Sequence, residues 1–441
     1  MNVNQRNVKD FEYILAEIER VALACYSNGG EGFVKFVSSE PLLSALCTMP
    51  CDANVNGEII IGASAHEKFY EIANRILAPT KRKRIRSIAS DQFVKYLKIE
   101  FSKAFISQGV AITESTVTKV LNKAKRSASG SCESLVHYIP MKFFRDYKGE
   151  EIDFGPIKVI GLVEFEKKVL SDAMLEGDLY HLTRNNLDKY IEGCNAVLVI
   201  PVEACQHSIS IERAELVGEV FVALMHLFYG REYTTSIRCA GDREPLKTNY
   251  KIYKSELGVQ LQMDTVMPRS IPDWSELLSG DNPVFLSLYY KVISQVIKPN
   301  EEDVVCKRLI DAILWFGEAS KECNDLSRVV KYSTALERVL APETNDIFRN
   351  ISERASKLID IFEGDRDKWK AVVKKMYDLR SKIVHGDIEF SERISDSEVL
   401  EYEGLTARVI MASVVFYEKI GLESLDSAKT IGKYYIKLEQ L

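Results

Sequence analysis

The chain has 441 residues, of which 46% are hydrophobic and 28% are charged, and its formal net charge at pH 7 is −6. This length is enough for two or three domains with full cores, and the composition is typical of globular proteins. The acidic balance argues against a strongly basic protein that coats nucleic acid, although a local basic site is compatible with it.

The sequence carries no signal for secretion or for a membrane. The N-terminus Met1-Asn2-Val3-Asn4-Gln5-Arg6 is polar, and no stretch approaches the roughly 20 apolar residues of a membrane span. The nine cysteines are scattered, and Cys47 and Cys51 form the only close pair, so no second pair completes a zinc set. We expect a cytoplasmic protein with reduced thiols, no membrane partner, no metal and no cofactor.

Residues 1–130 form a mostly helical region by their periodicity. The spacing of apolar residues predicts helices at about 8–26, 66–79, 91–107 and 114–127, with irregular structure at 33–65. The last helix has Thr113 as its N-cap.

A run of cations, Lys81-Arg82-Lys83-Arg84-Ile85-Arg86, lies between the second and third of these helices. It is either a contact for RNA phosphates or a solvated helix start.

Residues 131–280 differ in composition and predict an α/β region with a sheet. The predicted strands, rich in Val, Ile, Phe and Tyr, are His137–Phe144, Ile157–Val163, Ala196–Val202, Thr235–Cys239 and Val259–Met263. Helices are predicted at about 168–191 and 211–229, and the second is apolar on most faces. The region contains no recognisable catalytic motif, which is compatible with a sensing or regulatory role.

Two groups of polar residues in this region are candidate ligands. His226 lies on the apolar helix and is expected to be a core histidine with a hydrogen-bond partner. Glu203, Cys205 and His207 place three ligand types close together, but a structural zinc site needs four, so a plain loop is predicted there.

Residues 281–441 predict an all-α bundle, so the fold class is α+β: a mixed α/β N-terminal region followed by helices. The predicted helices lie at about 284–298, 301–322, 325–341, 346–363, 366–385, 396–420 and 425–439.

The helix over 366–385 carries one apolar stripe, formed by Trp369, Val372, Val373, Met376, Leu379, Ile383 and Val384. Arg380 falls within that stripe. Because a buried cation without a partner is costly, Arg380 either pairs with a carboxylate such as Glu337 or faces a pocket or interface that receives an anion. Five residues later comes His385, followed by Gly386, which is a typical residue for ending a helix.

The stretch Leu379-Arg380-Ser381-Lys382-Ile383-Val384-His385-Gly386 resembles the Arg-x4-His motif of the HEPN superfamily, in its Apea-like branch. Ala335-Leu336-Glu337 and Arg354-Ala355-Ser356-Lys357-Leu358 fit the same branch, and the resemblance covers roughly 286–441. Ser381 stands where many active members carry an amide or an acid.

The resemblance implies a metal-independent endoribonuclease in which Arg380 and His385 are catalytic and Ser381 and Glu337 support them. It also implies an anti-phage defence or toxin-like effector, RNA as substrate, and a homodimer through the C-terminal domain. Residues 1–280 would then sense a trigger or bind a regulatory partner. A non-catalytic module that binds RNA, a nucleotide or a protein, with Arg380 as an anion clamp, is the alternative.

Overall fold

The computed structural model describes residues 3–26, 30–39, 47–52, 55–78, 87–170, 186–242, 249–255, 258–264, 283–299, 304–341, 346–389 and 392–419, together with residues 435 and 438. The described chain is α+β, as predicted: helices predominate, and the strands lie between residues 48 and 264. Its internal contacts divide it into two compact units, residues 1–135 with 203–211, and residues 136–202 with 212–441. No helix among the described residues is long and apolar enough to cross a membrane.

The first unit is a small helical assembly with one hairpin. Its elements are α1 (Val3–Tyr26), α2 (Gly30–Ser39), β1 (Thr48–Asp52), β2 (Val55–Ile60), α3 (Ala63–Leu77), α4 (Ser90–Phe101) and α5 (Glu114–Gly130). A π-helical turn, Ser102–Ser107, extends α4. The predicted Thr113 cap is confirmed, because its hydroxyl accepts the backbone N–H of Thr116 at 3.3 Å.

The core of this unit is aromatic. Phe101 lies with its ring centroid 5.3 Å from Phe11, 5.4 Å from Phe69 and 5.1 Å from Phe105. Phe11, Phe69 and Phe101 are fully buried. Edge and tilted ring contacts of this kind hold α1, α3 and α4 together more specifically than burial alone would.

The prediction of irregular structure at 33–65 is wrong. Residues 30–39 are helical, and β1 pairs with β2 as an antiparallel hairpin. Gly32 lies within the first helical stretch, where a Cβ would come within 2.6 Å of the carbonyl oxygen of Ala24. Gly32 therefore permits a close approach of α2 to α1.

The second unit carries a five-stranded sheet. Its strands are β3 (Glu133–Lys142), β4 (Ile152–Asp153), β5 (Lys158–Gly161), β6 (Ala196–Cys205) and β7 (Arg238–Cys239), in the spatial order β4-β5-β6-β3-β7. A separate antiparallel pair joins β8 (Asn249–Ser255) to β9 (Gly258–Asp264). The short helix α6 (Leu162–Phe165) follows β5. The long helix α7 (His207–Tyr229) is buried on most faces, as its apolar sequence predicts.

Two predictions in this region are wrong in detail. Only Arg238–Cys239 of the predicted strand 235–239 is extended. Residues 235–237 instead form a turn that follows the short helix α8 (Arg231–Thr234). Thr234 is held there by donating its hydroxyl to the Gly230 carbonyl at 2.7 Å. The loop predicted at 203–207 is instead a junction, where β6 ends at Cys205 and α7 begins at His207.

The rest of this unit is helical. Its helices are α9 (Pro283–Ile297), α10 (Val304–Lys321), α11 (Asp325–Leu340), α12 (Ile347–Glu363), α13 (Arg366–His385) and α14 (Asp396–Lys419). All six were predicted, with ends that differ by three residues or fewer. Three further predictions lie largely or wholly outside the described residues: the cation run at 81–86, most of the helix at 168–191 and the helix at 425–439.

Candidate functional site

The apolar stripe of α13 is buried for only part of its length. Trp369, Val372, Val373 and Met376 are buried, whereas Leu379 and Ile383 are half-buried and Val384 is 52% exposed. The helix is therefore anchored by its first three turns, and the part that carries Arg380 and His385 reaches the surface.

Arg380 pairs with the carboxylate that the sequence suggested. Its Nη2 lies 3.5 Å from Oε1 of Glu337 on α11, with 32% of the Arg380 side chain and 25% of the Glu337 side chain exposed. The Nε of Arg380 is buried and has no hydrogen-bond partner among the described residues. The guanidinium is thus held at one edge by Glu337, and the side chain as a whole remains partly open to solvent.

Tyr377 is a third member of this group that sequence reasoning missed. Its hydroxyl donates to Oε1 of Glu337 at 3.3 Å and lies 3.4 Å from the carbonyl oxygen of Ser333. Burial, and then the negative charge of Glu337, raise the pKa of Tyr377 well above its ordinary value, so the hydroxyl stays protonated at neutral pH. Its position three residues before Arg380, on the same face of α13, was the signal that could have identified it.

His385 is exposed at the end of α13. Within the described part of the chain it has no hydrogen-bond or ion-pair partner, and neither has the exposed Ser381. The two side chains are therefore accessible to a ligand, but the described residues do not orient either of them.

Gly386 ends the helix with a left-handed conformation, φ 79° and ψ 18°. The N–H of Gly386 donates to the Ile383 carbonyl at 3.3 Å, and the N–H of Asp387 donates to the Lys382 carbonyl at 2.9 Å. This pair of bonds is a Schellman motif, which satisfies the last carbonyls of the helix and keeps its final turn regular.

Because α13 stays helical through His385, five helical steps separate Arg380 from His385, a rotation of about 140° between their directions. The helix does not unwind at residue 384 to bring the two side chains together. One copy of the helix therefore does not aim both residues at a single phosphate group.

The helical hairpin of α12 and α13 brings a further residue to the site. The phenyl ring of Phe348, at the start of α12, lies with its centroid 5.7 Å from the Tyr377 ring and is 42% exposed. The short connection at Gly364 and Asp365 was the sequence signal for this neighbourhood, since a two-residue link makes adjacent helices antiparallel.

The remaining candidates do not join this site. Residues 81–84 are outside the described chain, so no position is given to Lys81, Arg82, Lys83 or Arg84. At the junction of β6 and α7, Cys205 is buried and Glu203 and His207 are exposed. No group of three or more His, Cys, Asp or Glu side chains in the described ranges is arranged to hold a metal ion.

His226 is the core histidine that the sequence predicted. It is 1% exposed, and its Nδ1 lies 2.7 Å from the hydroxyl of Thr234. Burial, together with the charges of Lys321 and Arg231, lowers the pKa of His226 to about 3, so the ring is neutral at physiological pH.

Comparison with protein-family models, with curated proteins and with solved structures finds no match to this chain.

Proposed function

We propose that the chain is a metal-independent endoribonuclease of the HEPN type, which cleaves RNA by attack of the 2′-hydroxyl on the adjacent phosphate. The observation that carries this proposal is the exposed end of α13. It presents an arginine and a histidine within five residues, beyond the part of the helix that the core covers. The resemblance of residues 379–386 to the Arg-x4-His motif supports the same assignment.

The two side chains suit the chemistry. Cleavage needs a base for the 2′-hydroxyl, stabilisation of charge on the phosphate, and an acid for the departing 5′-oxygen. An imidazole can accept and donate protons at neutral pH, and an arginine offers a planar, permanently charged fork for phosphate oxygens. The products would be a 2′,3′-cyclic phosphate and a 5′-hydroxyl.

The supporting residues have distinct roles in this proposal. Glu337 fixes the direction of the Arg380 guanidinium and is itself fixed by the Tyr377 hydroxyl. Ser381 is exposed next to Arg380 and can donate a hydrogen bond to a phosphate oxygen.

A homodimer through the C-terminal domain is part of the proposal. The rotation of about 140° between Arg380 and His385 supports it, because two helices that meet across a dimer can pool an arginine and a histidine in one cleft. Light scattering should give the mass of two chains. A monomer that cleaves RNA at full rate would contradict this arrangement.

A biological role as an anti-phage or toxin-like effector follows from the same resemblance, with the larger N-terminal part sensing a trigger or a regulatory partner. The role predicts toxicity when the protein is overproduced in a bacterial host. His385→Ala should abolish the toxicity, and His207→Ala, a change at another exposed histidine, should not.

Ser381 favours a second function, a non-catalytic module that binds RNA, a nucleotide or a protein, with Arg380 as an anion clamp. This serine stands directly after Arg380, where many active members of the resembled family carry an amide or an acid. Such a module would show little toxicity, and Arg380→Ala would impair its binding more than His385→Ala does.

A further inference from the structure

A cavity of about 450 Å³ is lined by α14 together with the ends of α7 and α12. Its volume falls in the range of small-molecule sites, about 300–1,000 Å³. The lining residues of α14 run from Gly404 to Val415, which is about 16 Å along the helix, so an elongated group fits beside it. Most of the wall is apolar, with side chains that include Leu227, Phe228, Ile359, Ala407, Met411 and Val415.

One ion pair supplies the charge at this cavity. Arg408 and Glu363 are the charged side chains among the described residues that line it. They are 45% and 44% exposed, which places the pair at the mouth of the cavity. The Nε of Arg408 donates to both carboxylate oxygens of Glu363, at 3.0 and 3.1 Å. Within the described part of the chain the two Nη groups of Arg408 form no hydrogen bond, so their donors are available to a ligand.

The guanidinium of Arg408 is held in a defined place. Its central carbon lies 5.2 Å from the centroid of the Trp369 ring, a cation–π contact with a buried indole. On the other side the arginine folds back over Gly404, one turn earlier on α14, where a Cβ would lie 2.7 Å from Nη1. Because Gly404 and Arg408 both line the cavity, the available donors lie at its wall.

We propose that this cavity binds an amphipathic carboxylate, a small molecule with an apolar body and one anionic head. The apolar body lies along α14, where burial of its surface drives binding. The carboxylate accepts hydrogen bonds from the Nη groups of Arg408, because a planar guanidinium matches the geometry of a carboxylate. A single cation that already has an acidic neighbour favours a monoanion over a phosphate dianion. This inference is independent of the proposed ribonuclease function.

Octanoate is the probe for the head and the body of the ligand. Titration calorimetry with the full-length chain should give one binding site. Octan-1-ol has a body of the same length without the charge, and butyrate has the same head with a shorter body. Each should bind at least tenfold more weakly than octanoate, because each lacks one of the two contributions.

Two variants locate the site. Arg408→Gln should weaken octanoate binding at least tenfold, because it removes the charged donors. Arg338→Gln is the matched control, since Arg338 is 51% exposed and lies 3.8 Å from Asp311, away from the cavity lining. Ala407→Leu should also weaken binding at least tenfold, because the larger side chain occupies the cavity. Leucine is a good helix former, and a thermal melt of this variant checks that the fold is kept.

Several results would overturn the proposal. These are the absence of octanoate binding to the wild-type chain, equal affinities for octanoate and octan-1-ol, and wild-type affinity in Arg408→Gln. Wild-type affinity in a folded Ala407→Leu variant would likewise show that octanoate binds elsewhere on the chain. An equal loss in Arg338→Gln and Arg408→Gln would reduce the effect to the net charge of the protein and remove the specific site.

Discussion

The guanidinium of Arg380 lies 3.5 Å from the carboxylate of Glu337, and both side chains keep about a quarter to a third of their surface in solvent. Partial exposure screens such a pair, so its contribution to the free energy of unfolding is about 1 kcal/mol or less. The ion pair therefore serves mainly to orient the Arg380 guanidinium and adds little to stability. A phosphate group can compete with Glu337 for the guanidinium at modest cost.

Replacing Arg380 separates the catalytic and structural roles. Arg380→Ala should reduce RNA cleavage by about 10²- to 10³-fold, as loss of a donor to a developing charge does, while changing the free energy of unfolding by about 1 kcal/mol or less. Lys374→Ala, a change at an exposed cation on the same helix, should leave both quantities unchanged. If Arg380→Ala lowered the free energy of unfolding by several kcal/mol while the folded protein still cleaved RNA at the normal rate, Arg380 would have a structural role only.

Gly386 is predicted to matter through its backbone alone. A Cβ there would meet no atom within 4 Å, so only the φ of +79° penalises a side chain. Gly386→Ala should cost about 1 kcal/mol and loosen the turn that carries His385, lowering cleavage as well. Gly386→Asn should be milder, because asparagine tolerates this conformation. Identical unfolding curves for the alanine variant and the wild type would contradict the role of the Schellman motif.

His226 should make stability depend on pH. The pKa of His226 is about 3 in the folded chain and near 6.5 in the unfolded chain. Between pH 3 and pH 6.5 the imidazole is therefore protonated in the unfolded state and neutral in the folded state. The contribution is fully present above pH 6.5 and is lost as the pH falls, by about 2 kcal/mol at pH 5. In denaturant titrations, the free energy of unfolding of the wild type should fall as the pH is lowered, whereas that of His226→Gln should not show this loss. The difference between the two proteins should therefore shrink toward pH 5. A difference that is constant from pH 7 to pH 5 would show that His226 does not titrate on unfolding.

Gly317 on α10 touches α7 closely. A Cβ on Gly317 would lie 2.5 Å from the Cβ of Ala223. Gly317→Ala should therefore destabilise the chain by about 1–3 kcal/mol, despite the gain of about 1 kcal/mol in helix propensity. Adding Ala223→Gly should recover part of the loss, which a double-mutant cycle by denaturant unfolding would measure. A stabilising Gly317→Ala would mean that the two helices separate easily.

The C-terminal helices could be predicted because their signals are local. The spacing of apolar residues and the glycine at 386 give the bounds of α13, and the structure agrees. The exposure of Val384 could not be predicted, because periodicity marks a face of a helix without saying where the neighbouring elements stop covering it. The helix at 30–39 was missed for a similar reason, since Gly32 serves a contact with Ala24 that no local pattern reveals.

The candidate site was predictable in part. Arg380 and Glu337 were paired from the physical cost of a buried cation, and the structure places them together. Tyr377 and Phe348 depend on how α11, α12 and α13 pack, and the sequence offered only the short Gly364–Asp365 link as an indication.

The central claim is tested most directly by incubating the purified full-length protein with total cellular RNA and a chelator, beside the His385→Ala variant. The account predicts cleavage by the wild type alone, with 2′,3′-cyclic phosphate ends, and an unchanged melting temperature for the variant, because His385 is exposed. Cleavage of equal extent by both proteins, or cleavage that the chelator abolishes, would contradict it.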